Sequence, residues 1–164
     1  MRVLRNWRFD IELSPNELRQ TDVVPLLLAT LERMNLPPLH RSNLFVVLSE
    51  LVNNALDHGV LLLDSRLKVN GMERYLRLRE KLLGSLTEGW IRIGLRMIES
   101  DAEACLRIHI RDSGDGFDWQ QQCAPSHQGQ LHGRGLALVR RLCASVDFRD
   151  PGNEVVAIYK FASL

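Results

Sequence analysis

Ser49-Glu50-Leu51-Val52-Asn53-Asn54-Ala55-Leu56-Asp57-His58-Gly59 is the stretch on which the fold turns. At 100° per residue Glu50, Asn53, Asn54 and Asp57 fall within an arc of about 100°. Leu44, Leu48, Val52, Ala55 and Leu56 take the opposite side, where they can face a core. A helix with an apolar back and a strip of carboxylate and carboxamide oxygens offers what a hard cation needs. Alone, the same pattern also describes a surface helix with a solvated polar face.

Outward from this stretch, Leu36-Pro37-Pro38 precedes the helix, which the pattern runs from about His40 to His58 with Gly59 closing it. Upstream, Trp7, Phe9, Ile11 and Leu13 alternate with polar residues as a half-buried strand does. Ser14-Pro15-Asn16-Glu17 then forms a capping box, predicting a helix from Pro15 to Met34. Downstream, a further helix is expected over about Met72 to Leu86. The alternating runs Ile91 to Met97 and Leu106 to Ile110 read as neighbouring antiparallel strands. After a polar loop over 118–132, a helix from about Gly135 to Ser145 precedes strands near Val146–Arg149 and Val155–Phe161, joined by a Pro151-Gly152-Asn153 turn.

Two glycine-rich segments follow the helix in the chain. Asp112-Ser113-Gly114-Asp115-Gly116-Phe117 ends a strand, where a carboxylate can accept a hydrogen bond from an exocyclic amine such as that of adenine. Gly114 and Gly116 lack Cβ atoms, so backbone can turn sharply and approach a flat ring. A plain Asp-Gly turn is the alternative. Gly133-Arg134-Gly135-Leu136 opens a helix, whose amides and dipole would face phosphates. Neither GxxxxGK[ST] nor strand–GxGxxG–helix is present, which excludes a P-loop and a dinucleotide fold. Taken in order, the three segments describe an ATP site with magnesium held on a helix.

The 164 residues suit one domain spanning 1–164, and 45% hydrophobic with 25% charged residues is ordinary globular composition. A net charge of +1 gives no reason to expect direct nucleic-acid or membrane binding. Cys105, Cys123 and Cys143 lack CxxC spacing, and Cys105 and Cys143 read as buried small residues. No apolar leader or 18-residue apolar run is seen, so a cytoplasmic location is expected. The elements assemble into an α/β (α+β) two-layer sandwich: a mixed, mostly antiparallel sheet with helices on one face.

On these motifs the chain resembles the GHKL ATPases, the superfamily of gyrase, histidine kinases and MutL with the Bergerat fold. Glu50 to Gly59 matches the N box, Asp112 to Gly116 the first glycine box and Gly133 to Gly135 the second. Within the superfamily the N box is most similar to that of bacterial anti-sigma factor serine/threonine kinases. The resemblance implies that Asn54 is the magnesium ligand, Glu50 the general base and Asp112 the adenine selector. It gives Gly114, Gly116, Gly133, Arg134, Gly135 and Leu136 to the pocket and to an ATP lid over about 117–133, with Asn53 and Asp57 behind the metal. It further implies a homodimer, with an anti-sigma-factor antagonist protein or a sigma factor as partner. Residues 61–89 exceed what a minimal member needs and are expected to form a partner surface. The competing expectation is a non-catalytic ATP-sensing module, such as the kinase-like domain of a larger response-regulator or phosphatase protein.

Overall fold

A computed structural model describes residues 6–99, 103–117, 134–149 and 151–161. Strand β1 (Trp7–Leu13) leads through α1 (Pro15–Gln20) and α2 (Val23–Arg33) to α3 (Arg41–Asn54). A π-helical turn, Ala55–Val60, and a 3-10 turn, Ser65–Asn70, then lead to α4 (Met72–Gly84). Strands β2 (Ile91–Glu99) and β3 (Ala104–Asp112) follow, then α5 (Arg134–Leu142), β4 (Ser145–Arg149) and β5 (Glu154–Phe161).

The five strands form one sheet in the order β1-β2-β3-β5-β4. All four pairings are antiparallel, so among the described residues the sheet is purely antiparallel. Ile93 stands opposite Ile110, and Ile110 opposite Val155. This register puts the apolar set on one face: Ile91, Ile93, Leu95, Leu106, Ile108 and Ile110 are at most 1% exposed. Leu27, Leu28 and Leu31 of α2 and Leu44, Val47, Leu48 and Leu51 of α3 join them in one continuous core. Burying each such side chain contributes about 1.5–3 kcal/mol. The opposite face of the sheet is polar, with Arg92, Arg96 and Arg111 exposed. The fold is therefore the expected two-layer α+β sandwich.

The single helix expected over Pro15–Met34 is two helices. Thr21 is extended, at φ −113° and ψ 124°, and Asp22 stands at the N-cap position of α2 without a side-chain cap bond. Pro25 is the cause: in a continuous helix its ring would meet the carbonyl of Thr21, and it has no N–H to donate. Restarting at Val23 places Pro25 in a first turn, where no intrahelical donor is needed. The capping box does form, with the Ser14 N–H donating to Glu17 at 3.0 Å.

Gly59 does not close α3. The helix passes through the π turn, where the Leu61 N–H reaches back to the Leu56 carbonyl at 2.8 Å, and Gly59 stays inside it. Helix α5 ends at Leu142, short of the expected Ser145, because Ser145 is already paired to Ile158 in the sheet. Cys143 is buried, while Cys105 is only half-buried on the polar side of β3. No helix among the described residues is long and apolar enough to cross a membrane.

Candidate functional site

The C-terminal end of α3, the end of β3, the first turn of α5 and the β4–β5 turn converge on one open cavity of about 820 Å³. That volume lies within the usual range for small-molecule sites. Glu50, Asn54, Asp112, Gly116, Arg134, Gly135 and Leu136 all line it. Three segments far apart in sequence thus meet at one place.

Asp112 forms the deep end. Its side chain is 7% exposed, and its Oδ1 accepts the Gly114 N–H at 2.8 Å. Burial away from water pushes its carboxyl up to about 6, with the Gly114 amide pulling the other way. Gly59 explains how a carboxylate fits there. A Cβ on Gly59 would lie 2.3 Å from the Asp112 carboxyl, and a Cβ on Gly114 would lie 2.4 Å from the Gly59 carbonyl oxygen. The π turn thus brings a bare backbone against Asp112, and π turns recur at functional sites. A second brace comes from the β4–β5 turn, where Asn153 Nδ2 donates to the carbonyls of Asp112 (3.0 Å) and Gly114 (3.1 Å). Gly116, at φ 87°, packs so closely that a Cβ would meet the Pro151 carbonyl oxygen at 2.1 Å. Phe117 and Phe148 close this side edge to face, with centroids 5.3 Å apart. Asn153 looks in sequence like any turn residue, and only the neighbouring Gly152 hints at close packing.

Glu50 and Asn54 lie one helical turn apart on α3, half-buried on the cavity wall. The Glu50 carboxylate rests against the first turn of α5: a Cβ on Gly135 would lie 1.8 Å from its Oε2. The positive end of α5 suits a negative group there. Arg134 adds a cation at the same rim. Gly133 lies outside the described residues, as does the lid from residue 118 onward.

Asn53 and Asp57 do not line this cavity. Both turn toward α4: Arg79 Nε donates to Asp57 Oδ1 at 2.6 Å, and Arg79 NH2 to Asn53 Oδ1 at 3.2 Å. The Tyr75 hydroxyl donates to Asp57 Oδ2 at 2.8 Å. Burial and the adjacent Asp57 charge raise the Tyr75 hydroxyl above its ordinary range. These two N-box residues fasten the inserted segment to the helix. The polar arc itself carries no sign that Arg79 and Tyr75 of the helix over 72–84 take up Asn53 and Asp57.

The inserted segment is also part of the site. Its 3-10 turn places Ser65, Arg66 and Lys68 along the cavity. The preceding loop is fixed by His58, whose Nδ1 donates to the Leu63 carbonyl at 2.6 Å. Sequence reading assigned these residues only to a partner surface. A short polar stretch such as Ser65-Arg66-Leu67-Lys68 after an N box carries no signal of its own.

The donors on α3 fit a magnesium ion shared with phosphates. Among the described residues no three His, Cys, Asp or Glu side chains cluster as a metal cage. A single carboxamide beside an anionic ligand and water is the environment magnesium accepts. Residues 12–159 match the histidine kinase-like ATPase domain, and the chain belongs to that family. Comparison with curated proteins finds no match. Membership makes this an ATP-binding domain of the GHKL type, and Asp112 is the buried carboxylate on its cavity wall.

Proposed function

We propose that the protein is a magnesium-dependent serine/threonine protein kinase of the anti-sigma type, which phosphorylates a small antagonist protein and changes partner with its nucleotide state. The observation that carries this reading is the placement of Glu50 and Asn54 on one wall of the cavity that ends at Asp112. In this reading Asp112 accepts the adenine amine, and the Gly59, Gly114 and Gly116 backbones admit the ring. Asn54 would hold magnesium, which when bound neutralises phosphate charge. Arg134 and the first-turn amides of α5 hold the phosphate tail.

Glu50 takes the proton from a serine hydroxyl as that oxygen forms its bond to the γ-phosphorus. The bond from phosphorus to the β–γ bridging oxygen breaks, and ADP leaves. Because Glu50 rests under Gly135, the first turn of α5 must shift for a substrate hydroxyl to reach it. Positioning and charge stabilisation carry most phosphoryl transfers, and a placed base adds typically 10²–10⁴ in rate.

Glu50→Ala is therefore expected to bind Mg-ATP within a few fold of wild type and to transfer almost no label from γ-labelled ATP to a partner recovered from the host. Equal labelling by variant and wild type would remove Glu50 from the chemistry. Absence of labelling by the wild type would favour an ATP-sensing module without catalysis. Asn54→Ala should abolish the difference between binding with magnesium and with EDTA. A ratio kept at the wild-type value would overturn the metal assignment.

A further inference from the structure

The segment between the N box and α4 contributes a wall to the cavity. Among the described residues the lysine and arginine side chains lining the cavity are Arg66, Lys68 and Arg134. Two of these three cations come from the Ser65–Asn70 turn. They share the cavity with Glu50, Asp64, Asp112 and Glu154. A polyphosphate entering such an acidic surround needs positive charge close at hand.

Both cations have partners that are easily given up. Arg66 pairs with Asp64, two residues away, at 2.5 Å, and its side chain is 83% exposed. The pair is bidentate, with Arg66 Nε also donating to Asp64 Oδ1 at 3.1 Å and Oδ2 at 2.8 Å. It stands in water, which can replace each contact when a phosphate competes for the guanidinium. Lys68 Nζ stands 4.8 Å from the centre of the Tyr75 ring, a modest cation–π contact. Tyr75 itself is fixed: it is 3% exposed, and its hydroxyl is committed to Asp57, one helical turn beyond Asn54. The ring is thus a firm platform for the Lys68 ammonium at the edge of the cavity that Asn54 also lines. Neither cation is paired with a buried anion in these contacts, and both residues line the cavity.

We infer that Arg66 and Lys68 are phosphate-binding residues of this cavity, supplied by the inserted segment. They select for the charged tail of a nucleoside triphosphate, whereas Asp112 selects for its base. This rests on the reading of the cavity as an ATP site. On nucleotide binding Arg66 exchanges Asp64 for a phosphate oxygen, and Lys68 leans from the Tyr75 ring toward the tail. No covalent step is involved.

The test is calorimetric titration of the full chain, in constant magnesium, with ATP and with adenosine. The proteins are the wild type, the double variant Arg66→Gln/Lys68→Gln and the charge-conserving double variant Arg66→Lys/Lys68→Arg. The glutamine variant should lose about tenfold or more in ATP affinity, the scale of hydrogen bonds to charged groups. Its adenosine affinity should be unchanged, and its ATP binding should depend less on salt. The charge-conserving variant should recover most of the ATP affinity. Equal ATP affinity for the glutamine variant and the wild type would overturn the inference while leaving the ATP site intact. An equal loss of ATP and adenosine would show the turn to be only a structural wall. A wild type that binds neither ligand would overturn the ATP site itself, and this inference with it.

Discussion

Asp57 and Asp112 are both buried acids, 5% and 7% exposed, yet they belong to different kinds of region. Asp57, in the π turn after α3, sits in a seam with α4, with the Arg79 guanidinium at 2.6 Å and the Tyr75 hydroxyl at 2.8 Å. Asp112 sits at the end of the cavity, where among the described residues its side chain has one backbone amide as partner and no cation beside it. The seam satisfies its charge internally and so has nothing left for a ligand. The cavity leaves a desolvated carboxylate short of donors, which a ligand's amine can supply. Burial alone does not mark a candidate functional acid; burial in a cavity without a charged partner does.

The largest effect should come from the seam. Asp57→Asn removes the charge that Arg79 faces, and Arg79 is only 23% exposed there. Breaking one side of a buried pair costs about 3–5 kcal/mol, and partial exposure puts this pair near 3 kcal/mol. Chemical denaturation should show that loss. A loss below about 1 kcal/mol would reduce the seam to an ordinary surface contact.

The same substitution in the cavity should act in the opposite direction. The Asp112 carboxyl, ordinarily near 3.8, is held at about 6 in the folded chain. Folding therefore disfavours its ionised form. That penalty is absent below the ordinary value, grows as pH rises through about 6 and is complete above it, at about 3 kcal/mol. Asp112→Asn removes the charge but buries an extra NH2 group, so at pH 7.5 the ligand-free variant should be about 1–2 kcal/mol more stable than wild type. At pH 4 the gain should vanish. Destabilisation of the variant at pH 7.5 would place Asp112 in the same class as Asp57.

Titration of the acid should also appear in binding. Adenosine carries no phosphate to titrate, so its affinity should follow the ionised Asp112. It should fall about tenfold between pH 7.5 and pH 5 and remain flat in Asp112→Asn. The smallest change belongs to Tyr75→Phe. Loss of one hydrogen bond to a charged acceptor should cost about 1.5–3 kcal/mol when fully buried, and less here because Arg79 keeps Asp57 paired. Adenosine affinity should not move. A drop in affinity would mean that the seam reaches the cavity.

The difference between these acids explains what the sequence could convey. The N box, the glycine turn after Asp112 and the helix opened by Arg134 are each local, so their spacing predicted both elements and a common site. The alternation in β2 and β3 fixed their pairing for the same reason. Asp57 was legible as a member of the polar arc but not as a seam residue. Its partner Arg79 lies 22 positions later, one arginine among several on an amphipathic helix. Gly59 looked like a helix terminator because glycine commonly is one. Its actual requirement comes from Asp112, which only the tertiary fold brings within reach. The break at Thr21 is written in Pro25, which cannot continue a helix that the capping box at Ser14 begins.

The most direct measurement is calorimetric titration of wild type, Asp112→Asn and Asp57→Asn with ATP and GTP, under conditions where all three are folded. The wild type should bind ATP and bind GTP much more weakly. Asp112→Asn should lose about 1.5–3 kcal/mol of ATP binding, roughly 10- to 150-fold in Kd, while Asp57→Asn stays within a few fold of wild type. ATP affinity unchanged in Asp112→Asn would contradict the assignment of Asp112 to the adenine pocket, and with it the distinction between the two acids.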